Sequence, residues 1–209
     1  MEKAARQAGE LLHIFRINSP VCLFVLQDGK FVFANKQFQK LLGIDMEELT
    51  DSYSLDLVHS EDRETVRKNA IAMLKGKLSR PYVYRIISRD KRVRWLEEGV
   101  VSVQYQGKRA VLGHSVDITD RIKAEADLRH TAKALAQAGD QLAPQQRQAI
   151  DAAIQTLQNA LTQNDLAQLQ NALDTFNQAT QPLAEILMNE VLRRAVAGKT
   201  EQSLDPSKL

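Results

Sequence analysis

The chain has 209 residues, a formal net charge of +2 and one cysteine. This length accommodates one or two cores, and a single cysteine excludes an internal disulfide, so a reducing, cytoplasmic location is expected. The charge is too small to indicate nucleic-acid binding, and no apolar run approaches the roughly 18 to 20 residues of a membrane span. Neither a nucleic acid nor a membrane is therefore expected as a partner.

The N-terminal part begins with a helical pattern over residues 2–17, which ends before Pro20 because proline cannot continue a helix. Two apolar runs follow in "VCLFVLQDGKFVFAN" and meet at Asp28-Gly29. That dipeptide suits a two-residue hairpin turn, which demands positive φ angles. A β-hairpin is therefore predicted here.

Three helices and three further strands follow the hairpin. A short helix that Gly43 ends is predicted at "NKQFQKLLGI", and another at "MEELT". A longer helix is predicted from Glu61 to Lys75, with Ser60 as N-cap and Gly76 as its end. The segments "YVYRIIS", "VRWLEEGVVSVQY" and "RAVLGHSVDI" predict strands separated by turns. The fold class is therefore α+β, with a five-stranded antiparallel sheet that carries helices on one face.

Everything after Thr119 has helical spacing and a composition rich in Ala, Gln and Leu. The boundaries are marked by the breakers and caps Gly139, Pro144, Asn164, Asp165, Pro182 and Gly198. Pro182 is expected to start a last helix that Gly198 ends. Each helix has one apolar face, so an all-α antiparallel bundle is predicted.

These patterns divide the chain into five segments. They are an N-terminal helix at 1–18, the α+β domain at 19–119, a connecting helix at 120–138, a helical bundle at 139–198 and a tail at 199–209.

The first domain resembles the PAS family over about residues 10–130. The motifs that carry the resemblance are "FVFANKQFQKLLGI", "MEEL", "DLVHSEDR", "YRIISRDKRVRWLEE" and "GHSVDITDRIKAEADLR", in this order and spacing. The resemblance implies a sheet and helices that enclose a pocket used for ligand sensing, dimerisation or both. It also implies a signal-relay junction at Asp117, Ile118 and Thr119, where the last strand passes directly into a signalling helix.

The second region, about residues 130–198, resembles the helical lid of the seventy-kilodalton heat-shock chaperones, in particular their iron-sulfur-assembly branch. The segments "QATQP" and "MNEVLRRAVAG" carry this resemblance. The chain has no room for the nucleotide-binding and β domains of such chaperones. An engineered fusion of the two regions is a further explanation of the change in composition.

Candidate pocket-lining residues are the aromatic side chains on strands and one strand histidine, namely Phe24, Phe33, Tyr82, Tyr84, Trp95 and His114. The candidate dimer contact is the apolar end of the first helix, namely Leu11, Leu12, Ile14 and Phe15. A cross-strand pair between Arg85 and Glu97 or Glu98 is also predicted.

Other side chains favour ordinary structural roles. Cys22 lacks the motif of a flavin photoreceptor and is interpreted as a structural thiol. His59 is interpreted as a surface residue, and His130 lacks the flanking residues of a kinase phosphoacceptor. No catalytic or metal-binding pattern is found, so the protein is expected not to be an enzyme, and no cofactor is assigned.

Two functions remain open. The first is a cytoplasmic, homodimeric PAS sensory module that relays a ligand-linked or dimer-linked change through the junction into the bundle. The second is a chaperone-lid-like adaptor that binds a protein partner through an apolar patch around Leu183, Leu187 and Val191, with the PAS domain as a dimerising scaffold.

Overall fold

The computed structural model describes residues 21–50, 52–163 and 165–202. Contacts divide the chain into two compact units, Met1–Thr119 and Asp120–Leu209. The helix predicted over residues 2–17 lies outside the described residues.

The N-terminal unit is built on one antiparallel sheet with the strand order β2-β1-β5-β4-β3. Its strands are β1 (Cys22–Gln27), β2 (Lys30–Ala34), β3 (Tyr82–Ile87), β4 (Val93–Tyr105) and β5 (Lys108–Asp117). The five-stranded antiparallel sheet of the predicted α+β fold is thus confirmed.

Two of the three hairpins, β1-β2 and β4-β5, have turns of two residues that both have positive φ angles. Asp28 and Gly29 have φ angles of 52° and 81°, as the Asp-Gly dipeptide predicted. Gln106 and Gly107 repeat this conformation between β4 and β5, with φ angles of 50° and 75°.

Three helices and a 3-10 turn follow β2 before the chain returns to the sheet. They are α1 (Lys36–Leu42), α2 (Met46–Leu49), the 3-10 turn Ser54–Asp56 and α3 (Arg63–Leu74). Asn35 caps α1 by accepting a hydrogen bond from the backbone N–H of Phe38, and the same side chain bonds the backbone of β1 at Leu23. Gly43 ends α1 in the left-handed conformation.

The third helix begins later than predicted. α3 starts at Arg63 with Asp62 as its N-cap residue, so the prediction that Ser60 caps a helix from Glu61 is wrong. The physical reason is that Arg85 of β3 binds both carboxylates of the expected first turn. Its guanidinium donates to Asp62 at 2.9 Å and 2.6 Å and to Glu61 at 2.8 Å, which holds this segment on the sheet.

The core of this unit lies between the sheet and the helices. The rings of Phe24, Phe31 and Phe38 pack with centroids 5.2 to 5.7 Å apart, and all three are buried. Leu42, Leu49 and Leu96 complete the centre of the same cluster. The inner face of the sheet is therefore a continuous apolar surface.

The C-terminal unit consists of helices α4 (Thr119–Ala138), α5 (Pro144–Thr162) and α6 (Leu166–Gln202). One apolar cluster joins the start of α4 to the end of α5 and the start of α6, and a second joins the end of α4 to the start of α5 and a later part of α6. Because the start of each helix packs against the end of the next, successive helices are antiparallel. Within the described ranges, no helix is long and apolar enough to cross a membrane.

The last helix is continuous where two helices were predicted. Pro182 lies inside α6 rather than at the start of a new helix, and Gly198 does not end it. A proline in a helix interior costs about 3 kcal/mol. The buried stripe of Leu173, Phe176 and Leu183 runs through the proline position and packs against the other two helices, which offsets this cost.

Candidate functional site

A cavity of about 260 Å³ lies within the N-terminal unit, between the inner face of the sheet and α3. Its walls are almost entirely apolar. They come from the three core phenylalanines, the segment around the 3-10 turn, one side of α3 and the strands of the sheet. The aliphatic residues of the lining are Leu26, Leu55, Leu57, Val58, Val66, Ala70, Ile71, Leu74, Ile86, Val100 and Val111. The exposed side chain of Ile71 belongs to the wall and places part of the lining at the surface. Such a cavity suits a small apolar molecule.

One carboxyl group lines this apolar space. Glu98 of β4 is 4% exposed, and its two oxygens accept hydrogen bonds from the hydroxyls of Tyr82 and Tyr84 at 2.7 Å and 2.5 Å. The register places Tyr82 directly opposite Glu98, and the two-residue period of β3 brings Tyr84 to the same face. The geometry of the two strands thus builds a tyrosine-carboxyl-tyrosine cluster.

The environment changes how these groups titrate. Burial raises the pKa of Glu98 to about 7, although the two tyrosine hydrogen bonds act in the opposite direction. Burial, and then the charge of Glu98, raise the pKa of both tyrosines above the ordinary value. Glu98 therefore changes charge near neutral pH while the phenols keep their protons.

A polar row extends from this cluster across the sheet. Ser115 of β5 lies directly opposite Glu98, and Cys22 of β1 lies opposite Ser115. The Ser115 hydroxyl is fully buried and has no hydrogen-bond partner in the part of the chain that the structure describes. Burial, and then the charge of Asp117, raise the pKa of Cys22 to about 12, which supports the interpretation of Cys22 as an unreactive thiol.

The end of β5 is tied to β4 by a compact hydrogen-bond network. Asp117 Oδ1 accepts from the backbone N–H of Thr119 at 2.9 Å and from its hydroxyl, and Asp117 Oδ2 accepts from Arg94 at 3.3 Å. Thr119 Oγ1 accepts from the backbone N–H of Trp95 at 3.0 Å, and the N–H of Ile118 donates to the Trp95 carbonyl at 2.9 Å. α4 begins at Thr119, so the helix start is bonded to the strand that also lines the cavity.

The comparisons with known proteins assign the two regions. The model of the PAS fold family matches residues 31–114. Residues 31–114 form a PAS domain. One similar solved structure is the PAS domain of an HTR-like protein from Haloarcula marismortui, which is 24% identical to this chain with a TM-score of 0.46. The match covers 56% of this chain and 97% of that chain. Another is the PAS domain of a protein from Colwellia psychrerythraea, which is 19% identical with a TM-score of 0.49, and the match covers 54% of this chain and 97% of that chain.

The curated relatives are chaperones. The chain is 33% identical over 118 residues to the chaperone protein HscA homolog of Delftia acidovorans, and 31% identical over 115 residues to that of Ralstonia pickettii. These matches cover 56% and 55% of this chain but only 18% of either relative. They confirm the resemblance of the C-terminal helices to a chaperone lid.

The PAS domain brings some of the predicted pocket residues together and separates others. Phe24, Tyr82 and Tyr84 line the cavity. Phe33, Trp95 and His114 do not, which corrects their assignment as pocket-lining residues. The two-residue period of the strands explains Trp95 and His114, because each of them is one residue out of step with an inward-facing neighbour. That period alone would place Phe33 on the inner face with Phe31, but the register between β1 and β2 shifts between these two residues, so Phe33 pairs with Val25.

The other sequence assignments are placed as follows. The predicted pair of Arg85 with Glu97 or Glu98 is wrong, because Trp95 is the residue opposite Arg85 and the guanidinium lies 5.6 Å from the Trp95 ring. The guanidinium instead binds the acidic segment before α3. His59 lies beside that segment, away from the cavity lining.

Two sets of predicted contacts have different outcomes. The proposed dimer contacts Leu11, Leu12, Ile14 and Phe15 lie outside the described residues. The apolar patch proposed on the last helix is partly wrong, because Leu183 is 2% exposed and Leu187 packs against the bundle core. Only Val191 of that set is exposed, at 63%.

Sequence reasoning missed Glu98 as part of the cavity. The alternation of β4 could have identified it. Glu98 lies between Leu96 and Val100 in steps of two residues, so these three side chains share one face, whereas Trp95 and Glu97 lie on the other. An acidic residue at an inward position, with an inward tyrosine opposite, predicts a buried carboxyl. The register that brings in Tyr82 could not be obtained from the strand pattern alone.

Proposed function

We propose that the protein is a non-enzymatic sensory module of the cytoplasm, in which the PAS cavity binds a small molecule and the junction relays its presence into α4. The observation that carries the proposal is the double role of β4. The strand contributes Glu98 and Val100 to the cavity wall and the backbone of Trp95 to the junction network. A change at the cavity therefore has a short path to the start of α4, along β4 and through the hydrogen bonds of Trp95 with Ile118 and Thr119.

The size and chemistry of the cavity support ligand binding. A dry apolar cavity of about 150 Å³ is large enough to hold benzene. The cavity here has about 260 Å³. At the same volume per atom as benzene in the smaller cavity, it suits a ligand of about ten non-hydrogen atoms. The ring cluster of Phe24, Phe31 and Phe38 supplies a rigid apolar wall.

The hydrogen bonds of the junction support transmission because they hold its residues on β4. Asp117 and Thr119 share hydrogen bonds with each other and with β4, and neither glycine nor proline separates β5 from α4. A ligand shifts the relayed equilibrium only as far as its affinities for the two states differ. A rigid connection preserves that difference, whereas a flexible linker would absorb it.

Replacing Thr119 with valine tests the relay. Valine keeps the branched shape but removes the oxygen that accepts from Trp95, so we expect loss of the ligand-induced change in hydrogen exchange in α4. The lost hydrogen bonds should also lower the free energy of unfolding by about 1 to 2 kcal/mol. The measurement is hydrogen exchange of the whole chain with and without bound ligand.

Thr119→Ser is the matched control, because it keeps the hydroxyl and should keep the response in α4. A ligand response that is undiminished in Thr119→Val, with ligand affinity unchanged, would show that the junction network does not carry the signal.

Homodimerisation belongs to the same proposal. The face of the sheet opposite the cavity exposes the large apolar side chains of Val83, Val93, Val101 and Val116. Apolar side chains grouped on one exposed face favour association with another surface. A native mass spectrum at micromolar concentration that contains only single chains would contradict this part.

A second function is favoured by a separate observation on α6. Met188, Val191 and Leu192 are 61%, 63% and 55% exposed, and their spacing places them on one side of the helix. This patch fits an adaptor that holds exposed apolar segments of another protein, as the similarity to chaperone relatives suggests.

The adaptor function predicts that the chain suppresses aggregation of a heat-unfolded reporter protein, measured by light scattering. Val191→Lys should weaken that suppression several-fold, because it places a charge in the centre of the patch. Asn171→Lys is the control, since it adds the same charge at an exposed position of α6 that lies more than four turns before Met188. Equal effects of the two variants, or no suppression by the wild type, would rule this function out.

A further inference from the structure

The carboxyl group of Glu98 has no cationic partner inside the cavity. Its two hydrogen bonds come from the neutral hydroxyls of Tyr82 and Tyr84, and none of the described lysine, arginine or histidine side chains forms an ion pair with it. Arg67 of α3, the other charged residue of the lining, is exposed and does not contact it. A charged carboxylate in an apolar space without a counter-ion is costly.

The hydrogen-bond capacity of the carboxyl is only partly used. A carboxylate accepts about four hydrogen bonds, two at each oxygen. Tyr82 supplies one at Oε1 and Tyr84 one at Oε2, so each oxygen can accept another. Tyr82, Tyr84 and Glu98 all belong to the cavity lining, so a ligand in the cavity lies next to this cluster.

We propose that the cavity selects a small ligand with an apolar body and one protonated amine, and that the ammonium group pairs with Glu98. This inference rests on the proposed function, because it names the class of ligand that the same cavity takes. The amine supplies the missing positive charge and up to three hydrogen-bond donors, and the phenylalanine wall takes the apolar body. Carboxylate ligands are disfavoured because they would place a like charge against Glu98.

Three probes of matched shape separate the contributions of charge and apolar burial. 2-Phenylethylamine, 2-phenylethanol and propylbenzene each have nine non-hydrogen atoms and differ only in the terminal group. Titration calorimetry of the full chain at pH 8 should show the amine binding at least about tenfold more tightly than either neutral probe, as expected for a desolvated charge pair.

Glu98→Gln removes the charge but keeps the size of the side chain. Its amide oxygen still accepts from one tyrosine hydroxyl, and its NH2 group donates to the other. We expect the amine to lose at least about tenfold in affinity in this variant, while the two neutral probes change by less than about threefold. Ala70→Phe, which fills the cavity from α3, should abolish binding of all three probes.

The pH dependence gives a second readout that does not depend on the folding of Glu98→Gln. Since burial raises the pKa of Glu98 to about 7, the ionised fraction rises between pH 6 and pH 8, and the affinity for the amine should rise by about tenfold. Tyr82 and Tyr84 of β3 and Cys22 of β1 keep their protons in this range, because their pKa values are also raised. Arg67 of α3 is the other charged side chain of the lining.

The outcomes separate this inference from the proposed function. Equal affinities for the three probes, with no effect of Glu98→Gln and complete loss in Ala70→Phe, would overturn the amine class and leave the cavity as a ligand site. Preference for 2-phenylethanol would likewise overturn it, because the carboxyl would then recognise a neutral group. Absence of binding by all three probes would overturn both proposals for ligands of this size.

Discussion

Replacing Gly113 with alanine should lower the free energy of unfolding of the PAS domain by about 2 to 3 kcal/mol, the upper part of the range for an overpacked core. Gly113 lies directly opposite Phe24 in the β1-β5 pairing, and the Phe24 ring covers its backbone. A Cβ atom at this position would lie 2.1 Å from the Phe24 ring, far inside van der Waals contact. Phe24 would have to move, and it is packed on both Phe31 and Phe38.

Gly99→Ala is the matched control for this prediction. A Cβ atom at Gly99 would meet the His114 ring at 2.5 Å, but that side chain is exposed and can rotate away. We therefore expect a cost below about 1 kcal/mol. Urea unfolding followed by tryptophan fluorescence measures both variants within the PAS domain, since Trp95 is the one tryptophan of the chain. Equal losses at the two positions would contradict the packing of Phe24 on Gly113.

The second large effect is a fall in the stability of the PAS domain between pH 5 and pH 8. Burial raises the pKa of Glu98 from 4.5 to about 7, so the folded state holds this proton more tightly than the unfolded state. The contribution to stability is complete below the unfolded pKa and is lost as pH rises through the folded pKa. At about 1.4 kcal/mol per pKa unit, the loss over this range is roughly 2 to 3 kcal/mol.

Glu98→Gln isolates this contribution because glutamine does not titrate. The difference in unfolding free energy between wild type and variant should therefore change by that amount between pH 5 and pH 8. The hydrogen bond with Arg85 lowers the pKa of Asp62. Asp62 therefore contributes stability that is lost only as the pH falls below its unfolded pKa, which lies below the interval from pH 5 to pH 8. If the unfolding free energies of wild type and Glu98→Gln differ by a constant amount from pH 5 to pH 8, then Glu98 is ionised throughout.

Local patterns were sufficient to predict most of the PAS domain. The Asp28-Gly29 turn, the alternating strands and Gly43 as the end of α1 depend on the residues themselves and their immediate neighbours. The start of α3 was missed because its first carboxylates are bound by Arg85, more than twenty residues away. Long-range contacts of this kind leave no local pattern.

The same distinction explains the errors at Pro182 and at the cavity. A proline is a strong local signal for a helix start, but the buried contacts of Phe176 and Leu183 carry α6 through it. The composition of the strands identified Tyr82 and Tyr84 as pocket residues, whereas the carboxyl between them depends on the β3-β4 register. Register is set by the whole sheet and is only weakly determined by one strand.

Hydrogen exchange of the whole chain, with and without saturation by the probe that binds most tightly to the cavity, tests whether occupancy of the PAS cavity is sensed at the start of α4. We expect increased protection in peptides of β3 and β4 and also in the peptide that spans Asp117 and the first turn of α4. Protection confined to β3 and β4, with exchange at Thr119 and beyond unchanged, would contradict it.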